Sequence, residues 1–124
     1  MATYTTVIPL KLPSLNEYIR ACRTDRRYAA RFKREIEDSI AVYIMRLPEI
    51  TKPVRISFLW CEDNGRRDID NVAAGKKFVL DALVKCGKLP DDNRKQVTGF
   101  VDSFTYGKEA SVTITIEEVE KDDE

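Results

Sequence analysis

Apolar side chains recur along this chain at two alternating intervals, and each change of interval marks an element. Over residues 3–12, Tyr4, Thr6, Ile8, Leu10 and Leu12 fall on one side of an alternating run, which predicts a strand. Pro9 has no N–H to pair, so this strand belongs at an edge or carries an irregularity. Pro13-Ser14-Leu15-Asn16 then reads as a turn. Ala29, Phe32, Ile36, Ile40, Tyr43, Ile44 and Leu47 recur every three or four positions and predict a helix closed by Pro48. The period returns to two over 53–61, where Val54, Ile56, Phe58 and Trp60 face one way. Leu59 and Cys61 on the other face predict an inner strand covered on both sides.

Glu62-Asp63-Asn64-Gly65 is turn chemistry. A second helix is expected from about Asn71 to Cys86, with Val72, Phe78, Val79, Leu80, Leu83 and Val84 in the core. Gly87 is its left-handed stop, and Pro90 follows. Two more strands, roughly 97–106 and 110–118, are joined by the turn Gly107-Lys108-Glu109. The order β-α-β-α-β-β predicts a single α+β domain over 1–118, with two helices on one mixed sheet. Residues 119–124 read as an acidic tail.

A chain of 124 residues can bury a core without disulfides or metal. No apolar run approaches the roughly 18–20 residues of a membrane span. Met-Ala-Thr-Tyr-Thr-Thr lacks the regions of a signal peptide, so a cytoplasmic location is expected. Cys22, Cys61 and Cys86 are too scattered for a disulfide framework or a zinc site and read as reduced thiols. There is no histidine. That removes histidine triads, bases and ligands, and leaves oxygen donors for hard ions such as magnesium or manganese.

Net charge is zero, but six of the last eight residues are acidic. The remaining 116 residues hold 20 basic and 15 acidic side chains, a net of +5. Arg20, Arg23, Arg26, Arg27, Arg31, Lys33 and Arg34 concentrate that charge around the start of the first helix. The arginines among them form a candidate footprint for phosphates, with Tyr18 and Tyr28 nearby as stacking platforms.

The densest chemistry lies in Arg66-Arg67-Asp68-Ile69-Asp70-Asn71. In extended backbone, residues i and i+2 share a side about 6.6 Å apart, so Asp68 and Asp70 can lean onto one cation; in a helix they diverge. That reading requires extended backbone over 68–70 and helix only from about 71. The competing reading is one aspartate as a cap and one solvated. Asp91 and Asp92 follow the second helix in a Pro-Asp-Asp-Asn turn, and a loop must bring residue 92 back beside 68–70. Arg66, Arg67, Lys76 and Lys77 flank the acids, which favours a metal used on phosphate over a calcium site.

Arg66-Arg67-Asp68-Ile69-Asp70-Asn71, Lys77-Phe78-Val79-Leu80-Asp81-Ala82-Leu83, Lys85-Cys86-Gly87 and Leu89-Pro90-Asp91-Asp92 together resemble the RusA family of Holliday-junction resolvases. Leu12-Pro13-Ser14-Leu15-Asn16 is similar to that family's proline–asparagine segment. The resemblance implies a magnesium-dependent endonuclease, with manganese as an alternative, acting as a homodimer on four-way DNA junctions. It places metal-binding aspartates at Asp68, Asp70 and Asp92. The catalytic lysine falls on Lys77, with Lys76 as the alternative, because the interval from Asp70 to Asp81 is about three residues longer than in the family's pattern. Asn16, Arg20, Arg23, Arg26, Arg27, Arg31, Arg66, Arg67, Asn71 and Lys76 are the expected DNA contacts. A junction-binding module without cleavage is the main rival. A sugar-nucleotide transferase would need a glycine-rich phosphate loop and a second domain.

Overall fold

The computed structural model describes residues 1–120; residues 121–124, most of the expected acidic tail, lie outside the described residues. Four strands form one mixed sheet in the order β1-β4-β2-β3. β1 (Thr3–Ile8) and β4 (Ser111–Glu118) are antiparallel, as are β4 and β2 (Val54–Glu62), whereas β3 (Val97–Tyr106) runs parallel to β2. The helices are α1 (Leu15–Thr24), α2 (Arg26–Ile44), α3 (Ile69–Ala73) and α4 (Lys76–Lys85). The architecture is α+β, and taking α1–α2 and α3–α4 as units, its order follows β-α-β-α-β-β. No helix is long and apolar enough to cross a membrane.

Alternation builds the core. Thr6 and Ile8, Val54, Ile56, Phe58 and Trp60, and Val112, Ile114 and Ile116 are buried on one sheet face. Ile40, Ile44, Phe78, Val79 and Leu83 from α2 and α4 close over it. Each fully buried Ile, Leu or Phe contributes about 1.5–3 kcal/mol by leaving water.

Several sequence expectations change in the structure. β1 ends at Ile8, not near residue 12, because Pro9 interrupts pairing and Leu10 N–H turns back to Ile8 O at 2.8 Å. The segment read as turn and basic loop is mostly α1. Ser14 caps it by accepting from the Glu17 N–H, while the Glu17 carboxylate reaches back to the Ser14 N–H. Asp25 separates α1 from α2 and caps the latter through the Tyr28 N–H at 2.7 Å. The single helix expected over 71–86 is two, broken around Ala74-Gly75. A side chain at Gly75 would come within 3.3 Å of Leu12 and of the Val72 carbonyl, so the break packs tightly under β1's exit.

β2 is an inner strand in order, but its second face is open, with Leu59 42% exposed. The turn after Tyr106 exists, yet it joins strands that are not neighbours, because β2 lies between β3 and β4. Gly87 stops α4 with φ +73°, as its position predicts.

Candidate active site at the start of the third and fourth helices

Asp68 is the residue before α3, with extended backbone (φ −68°, ψ 147°), and its side chain makes no capping bond. Ile69 already belongs to the helix, so Asp70 sits in the first turn instead of on extended chain. The i,i+2 geometry expected for the pair is therefore replaced by a strand-to-helix corner. Both side chains are exposed there, near the positive end of the helix. Asp70 Oδ1 accepts only from the neighbouring Asn71 N–H, at 3.0 Å. The buried Asn71 Oδ1 has no hydrogen-bond partner among the described residues.

The loop after α4 folds back along that helix, and Asp92 comes to rest against Lys77 at its start. Ile50 N–H bonds to Lys88 O at 2.8 Å and Leu89 is buried, which anchors the turn carrying the acidic pair. Asp91 is occupied locally: one oxygen accepts from the Asp92 N–H at 2.7 Å and the other from Asn93 Nδ2 at 3.0 Å. Asp92 is left to face α4, with Oδ2 3.5 Å from Lys77 Nζ. Lys77 also meets Asp81 Oδ1 at 3.1 Å, one helical turn on, and Lys33 meets Asp81 Oδ2 at 2.9 Å. The result is a ladder, Lys33–Asp81–Lys77–Asp92, from α2 across α4 to the acidic turn.

The ladder shifts its members. The hydrogen bond it donates to Asp81 holds the Lys77 ammonium above the usual lysine range, and the bond from Lys33 to Asp81 does the same for Lys33. Burial alone would push the Asp81 carboxyl up, but the hydrogen bonds from both lysines hold it below the ordinary value. Lys77 is therefore a permanent cation near neutrality, suited to meeting phosphate charge and not to taking a proton.

Lys76 points the other way. Its Nζ bonds to Asp102 Oδ2 at 2.7 Å, lies 4.5 Å from the Phe100 ring centroid and 5.4 Å from that of Phe58. Trp60 Nε1 holds the other Asp102 oxygen at 2.8 Å. Arg67 is likewise tied to the protein's own groups: Leu12 O at 2.9 Å, Glu62, and the Glu17 carboxylate. Arg66 is exposed and points no ion pair at a described residue. Arg20, Arg23, Arg26, Arg27 and Arg31 are exposed on α1 and the first turns of α2, without ion pairs among the described residues. Arg31 lies 5.9 Å over the Tyr28 ring. Asn16 is exposed in the first turn of α1.

Asp68, Asp70 and Asp92 offer only oxygen donors. That donor chemistry fits a hard divalent cation. Among the described residues, however, no three acidic or thiol side chains converge closely enough to hold a metal ion. The third carboxylate rests on the Lys77 ammonium instead.

Sequence reading missed Asp81 and Lys33. The Lys77–Asp81 spacing of four on a helix signals that ion pair, whereas Lys33 arrives from a different helix and leaves no local mark.

A small α+β domain with unpaired carboxylates at a strand-to-helix corner and free arginines on the adjoining helices is of the phosphate-handling, nucleic-acid class. The particular family follows from comparison: the model for Endodeoxyribonuclease RusA matches residues 2–117, and the chain belongs to that family. It is thus an endodeoxyribonuclease. The comparison with curated proteins gives no match.

Proposed function

We propose that this enzyme resolves four-way DNA junctions by paired, magnesium-dependent nicks, in recombination or repair. The observation that carries the reading is the return of Asp92 to Lys77 at the start of α4, a short distance along the chain from Asp68 and Asp70. Asp68, Asp70 and Asp92 would hold Mg²⁺, or Mn²⁺ in its place. An ion held there would lower the pKa of a water for attack and would offset charge on the leaving oxygen. Lys77, held in place by Asp81, would neutralise charge building on the attacked phosphate once Asp92 turned to the ion. Arg20, Arg23, Arg26, Arg27 and Arg31 track the backbone without reading sequence. Asn16, Arg66 and Asn71 lie on the same loops and helix starts and complete the DNA contacts. Arg67 and Lys76 act mainly by holding the protein together.

Two matched nicks in a junction of approximate two-fold symmetry call for two sites, which a C2 homodimer provides. β3 supports this. It is a ten-residue sheet edge with no proline or lysine, and it exposes Phe100, Val101, Phe104 and Tyr106. Unprotected edges of that length are ordinarily paired or covered. A second copy laid along β3 would extend both sheets.

A binding module without cleavage would use the same arginines. A synthetic four-way junction and a linear duplex of the same arms, each incubated with and without Mg²⁺, separate the two. Symmetric nicks in the junction with Mg²⁺ alone support the proposal. Junction binding that never leads to a nick supports the rival, and indiscriminate duplex degradation rules out resolution while leaving a nuclease.

A further inference from the structure

Beside Lys77 lies a cavity of about 230 Å³ that the chemistry above does not use. Ser14 before α1, Leu15 and Tyr18 of α1, Lys33 of α2, and Ala74, Lys77 and Phe78 at the α3–α4 junction line it. The Tyr18 and Phe78 rings meet edge to face at 5.2 Å. Leu15 is 41% exposed and Lys77 64%, so the cavity reaches the surface beside the proposed catalytic lysine.

We propose that this cavity receives one nucleobase, unstacked from the DNA next to the phosphate being cut. The proposal rests on the endonuclease reading and adds a base-binding site to it.

Three features select that occupant. Size comes first: a cavity of roughly 150 Å³ accommodates one benzene ring. The volume here suits a single heterocycle and excludes a base pair. Lining comes second. The walls are largely apolar, and a flat π-face is welcome against Tyr18 and Phe78. Charge is third. Lys33 and Lys77 are the two cations of the lining, placed to meet the sugar–phosphate backbone of the same nucleotide. Lys77 also touches Asp92, so the base would lie within one nucleotide of the metal carboxylates. A branch point is where such a base is available, since disturbed pairing lowers the cost of unstacking.

The test uses the full chain in metal-free buffer, so that binding is read without cutting. Four-way junctions carry a single abasic site, moved one position at a time around the crossover. The expected result is one position on each exchanging strand where removing the base weakens binding about 5- to 100-fold. Leu15→Trp, which fills the cavity, and Tyr18→Ala, which removes a wall, should each abolish that penalty, so that intact and abasic junctions bind alike. Circular dichroism and melting check that both variants fold. Because they alter the cavity in opposite senses, a folding defect in one leaves the other informative. If no position is sensitive, or the penalty persists in the folded variants, the base site is overturned. Magnesium-dependent nicking that survives this outcome keeps the endonuclease reading. Failure to bind any junction overturns both.

Discussion

Lys76 and Lys77 are adjacent in sequence and do different work because α4 turns them about 100° apart. Lys76 is four-fifths buried between Asp102 and two aromatic rings, and Lys77 is mostly exposed beside Asp92. Lys76→Met should therefore cost about 1–3 kcal/mol in urea melts, by leaving the half-buried Asp102 carboxylate short of a partner. Nicking by the folded variant should stay within a few-fold of normal. Lys77→Met should melt near wild type and lose about 100-fold or more in junction nicking. The reverse pattern would move the catalytic role to Lys76.

Asp81 gives the site a pH signature. Its folded carboxyl lies below the ordinary value, so its stabilisation is complete above the unfolded value of about 3.9 and is lost as pH falls through the folded one. Asp81→Asn should lower stability by about 1–3 kcal/mol at pH 7, and the variant should converge with wild type as the pH falls through the lowered folded value of the carboxyl. Urea melts at neutral pH and below that value check this. Equal losses at both would mean that packing, not charge, holds Asp81 in place.

Among the elements, those with a strong apolar period were legible: α2, β2, β4 and the buried half of α4. α1 was not, because only Ala21 of its ten residues is buried and its surface is largely polar and charged. Its start was nonetheless written in Ser14-Leu15-Asn16-Glu17, a capping box with the serine and glutamate at the required spacing. Ser14→Ala should cost about 1 kcal/mol and lower Tm by roughly 3–6 °C in a scan. An unchanged Tm would mean that Arg67, which also grips Glu17, holds the α1 start without the cap. The break at Gly75 was hidden for a different reason. An isolated glycine looks tolerable in a helix, and only the approach of Leu12 and Trp60, far off in sequence, shows why a side chain would be crowded there.

At the scale of the whole molecule, local signals gave the elements but not their neighbours. The residues after Tyr106 say that the chain turns; that β2 intervenes between β3 and β4 is a matter of long-range pairing. The same limit applies to the site. The aspartates and the acidic turn stood out in the sequence, while the corner at Ile69 and the contact of Asp92 with Lys77 needed coordinates. The sheet edge at β3, the surface proposed for a second copy, likewise came only with the coordinates. Phe104→Lys, on that edge, should shift light-scattering mass from two copies to one and turn paired nicks into single ones, with little change in melting. A variant that still measures as a dimer would send the interface elsewhere.

The account depends most on Asp92 serving the metal while its neighbour Asp91 serves only the turn. The decisive measurement is nicking of a four-way junction in Mg²⁺ by Asp92→Asn and Asp91→Asn side by side, with junction affinity measured in parallel. Asp92→Asn should bind the junction within a few-fold of wild type and nick at least about 100-fold more slowly, while Asp91→Asn, which keeps its turn-forming oxygen, nicks nearly normally. Normal nicking by Asp92→Asn would contradict the account.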